Sequence, residues 1–383
     1  MSPGPAYRYV PVYPIIRPGS LWPRRADAFW ADYPDPRMAR FWCFSGRVAL
    51  YHGLRMLNIR PGSDILMPDY FQGTEMETLK YYGLHLQYYR VNGDLTIDFD
   101  HMAAMKTSSC AALYIIHYFG HPHPMERVVE FCRMHKLLLI EDCAVAMLSG
   151  YRGRWLGSYG DLAIYSPYKS IGLPHGGLGA VRADEAACPK LERPPFLSTL
   201  LQTRDKLGRY LKARAPRPVE RGFSTLSGTA RHLLGIDRSE QVASGSAAWS
   251  PSTLGLDASR LTCRMAQGQS GKPLIRKRQE NYSYLAGRLP GHIPILWRSL
   301  EEDECPLFLP LLVAQRSRVQ KALLERGVES VAVWGDEQYD RDVTPSENVK
   351  HLRRSLLEIP VHQDLTRKDL DHLIDVLPSV IAP

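Results

Sequence analysis

Leu138-Leu139-Ile140-Glu141-Asp142-Cys143-Ala144 is a strand-sized apolar run that stops on two carboxylates. Downstream, Gly160-Asp161-Leu162-Ala163-Ile164-Tyr165-Ser166-Pro167-Tyr168-Lys169 repeats the layout, with a turn and a lysine at its end and His175-Gly176-Gly177 beyond. Working outward, comparable runs stand at 64–67, 84–91, 111–118 and 178–182, with amphipathic segments at 71–82 and 125–135 among them. Val48, Leu50, Tyr51, Leu54 and Leu57 recur at helical spacing, which predicts a helix from Ser45 to about Asn58, before Arg60-Pro61-Gly62. Strands that alternate with helices predict βαβ units and a large, mostly parallel sheet, whose buried strands read as continuous apolar runs.

The pattern changes near residue 185. A basic helical stretch at 193–221 precedes a segment at 224–258 rich in Ser, Gly and Thr, read as a long mobile loop. A helix at 275–289 then leads into a second unit: strand 307–313, helix 317–326, strands 329–333 and 357–361, helix 366–377. The expected organisation is an N-terminal arm over 1–40, a large α/β domain over 41–258 and a small α+β domain over 259–383.

Composition narrows the function. A hydrophobic fraction of 44% and a charged fraction of 23% are those of an ordinary globular chain, which excludes global disorder. No apolar run approaches the roughly 18 residues of a membrane-spanning helix. The opening Met1-Ser2-Pro3-Gly4-Pro5 lacks the layout of a secretory signal, so a cytoplasmic chain is expected. The seven scattered cysteines offer neither CxxC pairs nor zinc-ligand spacing. A net charge of +8 admits a nucleic acid or an anionic small molecule. The basic residues from Arg204 to Arg221 lack a recognition motif and interleaved aromatics, so they are read as a solvated face or a patch near an anionic substrate. Nucleic-acid and membrane partners are not expected.

Three pieces carry chemistry. Phe44-Ser45-Gly46-Arg47 opens a helix whose free N–H groups suit a phosphate, although a plain glycine-containing turn would read the same way. Asp142, at the end of a parallel strand, stands where ligands of such sheets bind; it can pair with a protonated ring nitrogen or simply cap the next turn. Lys169 follows a hydrophobic strand, where partial desolvation favours a neutral, nucleophilic amine; a solvated surface lysine is the plain alternative. His117, His121 and His123 suggest a metal, but Pro122 interrupts their spacing and no metal site is expected.

Taken in order, these pieces resemble the DegT-type aminotransferases, the sugar-aminotransferase branch of the fold type I pyridoxal-phosphate enzymes. The resemblance runs through Ser45-Gly46-x-x-Ala49-Leu50, Pro61-Gly62-Ser63-Asp64 with Pro68, His117-Tyr118-Phe119-Gly120-His121-Pro122, Ile140 to Ala144, and Gly157 to Gly177. It continues more weakly to Pro360-Val361-His362-Gln363. It implies pyridoxal 5'-phosphate as cofactor, carried as a Schiff base by Lys169, which is then also the proton shuttle. Asp142 is implied as partner of the pyridinium nitrogen. Ser45, Gly46, Arg47 and Ser166 are implied around the cofactor phosphate, Phe71 or Gln72 over the ring, and Val145 against it. Tyr70, His175 and His117 are the substrate-side candidates. The implied function is amino transfer, from glutamate to the keto group of a sugar nucleotide or other small biosynthetic intermediate, by a homodimer.

The chain also departs from the family's pattern. Arg47 stands where a Thr is usual, Val145 where Gln or His is usual, and His175 where an acid precedes the glycine pair. Two other classes therefore stay open: a pyridoxal-phosphate enzyme performing elimination, racemisation or carbon–carbon chemistry, and a non-enzymatic sensor that binds the cofactor.

Overall fold

The computed structural model describes residues 8–22, 25–184, 187–215, 250–335 and 345–381. Its centre is a seven-stranded sheet. The strands are β1 (Ala39–Cys43), β2 (Asp64–Pro68), β3 (His85–Tyr89), β4 (Cys110–Ile116), β5 (Leu138–Asp142), β6 (Leu162–Tyr165) and β7 (Gly177–Val181), in the order β1-β7-β6-β5-β4-β2-β3. Strands β2, β3, β4, β5 and β6 pair in parallel, while β7 runs antiparallel to both β6 and β1. β2, β6 and β7 are buried at every residue, which is why they read as unbroken apolar runs rather than alternating ones.

Helices α1 (Gly46–Met56), α2 (Thr74–Tyr82), α3 (Phe99–Met105) and α4 (Met125–His135) connect the strands. Leu50, Leu54, Val48 and Ala49 of α1 face the sheet, fully buried. A short helix α5 (Pro167–Ser170) follows β6, and α6 (Phe196–Arg214) follows β7. The rest comprises α7 (Arg260–Gln267), α8 (Gly271–Arg288), β8 (Phe308–Leu312), α9 (Arg316–Glu325), α10 (Glu347–Ser355), β9 (Leu356–Pro360) and α11 (Arg367–Ile381). β8 and β9 form an antiparallel pair.

Two apolar clusters organise the molecule. The larger surrounds the seven-stranded sheet and takes in Met265, Ala266 and Leu274. The smaller gathers Tyr282, Leu285, Leu309, Ile359 and Leu373. The two clusters meet within α8 and again at β8 and α10, where Phe308, Val349 and Leu352 pack in the larger one. The N-terminal arm spans both: Val10 packs in the smaller cluster and Ile16 in the larger. Arg17 pairs with Asp364 at 2.6 Å, and the Ile15 N–H donates to the same carboxylate at 3.0 Å. Such contacts hold the N-terminal arm, an irregular course with short turns, against both clusters.

Several elements differ from the sequence reading. The strand expected at 329–333 is a single antiparallel bridge, Val331 with Glu358. Its neighbour Val328 instead bridges Val10, so the segment is shared between two partners and forms no ladder. β1, α3, α7 and α10 were not anticipated. Of the loop expected at 224–258, residues 224–249 lie outside the described residues; 250–258 hold a short 3-10 turn at Pro251–Thr253. No helix of the described residues is long and apolar enough to cross a membrane.

Candidate active site

The register of the sheet sets the site. Asp142, the last residue of β5, aligns with Ile116 of β4 and Ile164 of β6, while Cys43 of β1 aligns with Gly177 of β7. The carboxyl ends of β1, β4, β5 and β6 therefore share one edge, where parallel sheets bind ligands. A cavity opens there, and Asp142, Lys169, Ser166, Ser45, Gly46 and Arg47 line it. Gln72, Val145 and His175 also reach it.

Asp142 is almost fully buried and both its oxygens are held. Tyr114 donates its hydroxyl to Oδ2 at 2.6 Å, and the Ala144 N–H donates to Oδ1 at 2.8 Å. The second contact is the turn cap that the sequence left open, so the residue caps a turn and lines the cavity at once. Burial raises its pKa; the Tyr114 and Ala144 hydrogen bonds and the nearby Lys169 oppose that rise. Lys169 sits on α5, 7% exposed. Burial lowers its pKa, against the pull of Asp142 and Glu75, and this favours the neutral amine.

At the other end of the cavity, Ser45 caps α1 by position, yet its side chain makes no capping hydrogen bond. Its Oγ is buried without a partner among the described residues. A Cβ on Gly46 would stand 2.9 Å from Ser166 Oγ, and one on Gly177 would stand 2.2 Å from the Ser45 carbonyl carbon. Both glycines keep this pocket open and its walls close. A helix N-terminus with an unpaired hydroxyl, a second serine and Arg47 beside it is a chemically complete phosphate seat. A buried nucleophilic lysine and a held carboxylate complete what pyridoxal phosphate requires, so the residues present fit that cofactor.

Three sequence candidates stand elsewhere. Tyr70 is buried against Tyr118 and Trp334, its carbonyl accepting the Tyr118 hydroxyl at 2.8 Å. Phe71 stacks on Tyr88 with ring centroids 5.5 Å apart. Neither lines the cavity, because the chain after Pro68 turns these two rings into the core and only Gln72 back. His117 lies behind the strand ends, with Nε2 3.1 Å from Glu141 Oε2. The Glu141 carboxylate also accepts the N–H groups of Gly157, Tyr159 and Gly160, which fastens the approach to β6. Ligand atoms of His117, Glu141 and Cys143 lie within 4.8 Å of one another, but these bonds already occupy Glu141. His121 pairs with Glu304 at 3.1 Å, and His123 bonds the Ile116 carbonyl.

Sequence reasoning missed Tyr114, Glu75, Trp334 and Gln202. Glu75 lines the cavity from α2, accepts the Gln72 N–H at 2.7 Å and has its pKa raised by burial and by Asp142. Tyr114 offered a signal, since it stands on the strand adjoining Asp142. Trp334 and Gln202 offered none, as they arrive from distant segments.

Residues 42–192 match the DegT/DnrJ/EryC1/StrS aminotransferase family. GDP-perosamine synthase of Escherichia coli O157:H7 is 29% identical over 137 residues, 35% of this chain and 38% of that protein. The dTDP-4-dehydro-2,3,6-trideoxy-D-glucose 4-aminotransferase of Saccharopolyspora spinosa is 31% identical over 133 residues, 34% of each chain. The chain thus spans less than two-fifths of the length of either relative. Across its whole length it superposes on the sugar aminotransferase CalS13 from Micromonospora echinospora, with a TM-score of 0.65, 19% identity, and coverage of 97% of this chain and 99% of that one. The chain shares the fold of that solved structure, and the part matched by the family model, 42–192, contains most of the motifs on which the DegT-type resemblance was read.

Proposed function

We propose that this chain is a pyridoxal-phosphate-dependent aminotransferase, taking an amino group from glutamate and delivering it to the keto group of a nucleotide-linked sugar or another small biosynthetic intermediate. The observation that carries this reading is Lys169, buried in the same cavity as Asp142 and the Ser45–Arg47 seat. The sugar-nucleotide names of the matched relatives support the acceptor class. The reading includes a cytoplasmic homodimer. It also includes the two-unit division drawn from the sequence, 41–258 and 259–383, which the presence of two apolar clusters supports.

The cofactor supplies an electron sink for negative charge at the substrate carbon. The protein's own residues do the rest. Ser45, Gly46, Arg47 and Ser166 would hold the phosphate. Asp142, fixed by Tyr114 and Ala144, presents a negative charge to a protonated ring nitrogen. Lys169 Nζ, whose pKa burial lowers toward the neutral amine, would hold the cofactor and take and return the transferred proton.

The test is the visible spectrum of the purified protein beside that of Lys169→Ala, followed by incubation with glutamate. A cofactor band lost in the variant, and 2-oxoglutarate released by the wild type, are expected. A wild type without the band sinks the cofactor claim; a band without amino transfer from any donor sinks the transferase claim. One observation favours another reaction type on the same site: Val145, 2% exposed, places an apolar wall where the family's pattern has a hydrogen-bonding side chain.

A further inference from the structure

Helix α6 is a basic element that lies against the site. Gln202 lines the cavity directly. One turn on, the Lys206 ammonium sits 4.7 Å from the centre of the Tyr168 ring, beside Lys169 in sequence. No carboxylate pairs with Lys206 among the described residues, whereas Arg204 and Arg214 of the same helix have Asp205 and Asp369. Across from it, His175 lines the cavity, stacked on Phe44 with ring centroids 4.6 Å apart. His175 is 5% exposed, and neither of its ring nitrogens has a hydrogen-bond partner among the described residues.

We propose that Gln202, Lys206 and His175 form a subsite that binds an anionic group of a substrate, a carboxylate or a diphosphate, next to the cofactor cavity. The subsite deepens the aminotransferase reading and rests on it. Three donors from two separate segments lie around this end of the cavity, one an ammonium with no carboxylate partner among the described residues and one a buried imidazole that only the Phe44 backbone approaches. Buried polar groups without partners are costly, and a bound anion removes that cost. Burial and the neighbouring Arg209 pull Lys206 down to about 7, and burial and Lys206 pull His175 down to about 4. An entering anion reverses the first of these, because it favours the charged ammonium. His175 stays neutral and offers one N–H. The Ser45–Arg47 seat holds the cofactor phosphate, so the subsite is left for the substrate.

The experiment measures equilibrium binding of inorganic pyrophosphate and of 2-oxoglutarate to the cofactor-loaded protein. Pyrophosphate stands for a sugar-nucleotide diphosphate, and 2-oxoglutarate for the carboxylates of the amino donor. Lys206→Met is expected to weaken at least one probe by tenfold or more, with the visible cofactor band unchanged, and Lys206→Arg to restore binding to within about threefold. Gln202→Leu, a milder change on the cavity wall, is expected to weaken the same probe several-fold. The probe that responds identifies the anion. Equal affinities in wild type and Lys206→Met for both probes, or no binding of either by the wild type, overturn the subsite. Loss of the band from the wild type is a separate failure, that of the aminotransferase reading.

Discussion

Tyr114→Phe removes one hydroxyl and leaves the ring in place. That hydroxyl donates to Asp142 Oδ2 at 2.6 Å in a fully buried setting. A hydrogen bond to a charged group contributes about 1.5–3 kcal/mol. Its loss raises the Asp142 pKa further, because the charged carboxylate loses its strongest partner. The direction follows from the present balance, in which burial raises that pKa and the Tyr114 bond is the largest influence opposing it. In the cofactor-free protein, a group whose folded pKa stands above its unfolded value gives up stability as pH rises through the folded pKa. The variant is therefore less stable than wild type by about 1.5–3 kcal/mol in mildly alkaline buffer, and the gap closes in acid, where Asp142 is protonated in both. Urea unfolding at several pH values measures this. In the loaded protein, the pH response of the visible band is expected to differ from that of the wild type. A pH-independent stability difference, with an unshifted band, refutes the claim that Tyr114 acts through the Asp142 charge.

Glu358 is buried on β9 and its pKa is raised to about 8, chiefly by burial. Its stabilising effect is complete below the unfolded value near 4.5 and is lost as pH climbs to about 8, so Glu358→Gln should flatten that slope by roughly 3–5 kcal/mol across the window; parallel wild-type and variant curves from thermal melts count against it. Gly177→Ala drives a methyl to 2.2 Å from the Ser45 backbone, which costs about 1–3 kcal/mol and spreads the phosphate seat. Equilibrium dialysis should find cofactor affinity down at least tenfold, and unchanged affinity removes Gly177 from the seat. Arg353 is fully buried and donates to the carbonyls of Gly335 at 3.0 Å and Phe71 at 2.9 Å. Arg353→Met leaves both acceptors unpaired, for a loss of about 2–5 kcal/mol by urea unfolding; a loss under 1 kcal/mol contradicts it.

Asp142 and Lys169 were legible because each terminates a short, wholly apolar run, and the ends of parallel strands are where a sheet exposes side chains to a ligand. Ser45 to Arg47 were legible for a similar reason, since a glycine at a helix start leaves donors uncovered. Tyr70 and Phe71 were misplaced because a turn, unlike a strand, has no fixed period from which the direction of a side chain can be read. Gln202, Lys206 and Trp334 depend on how distant segments fold back, which no local pattern encodes. α10 has apolar positions too few for its length, with Val349 and Leu352 its main anchors, so a sequence dominated by charge concealed a helix.

The reversed strand β7 bears on how the pocket is completed. β7 enters between β1 and β6, two strands that the preceding chain has already supplied. Until that insertion, Gly177 does not back Ser45 and that wall of the pocket is missing. Pairings between such distant segments form slowly. The wall at Ser45 is therefore the part of the pocket that waits on a pairing between distant segments, β1 with β7, whereas β6 meets β7 locally.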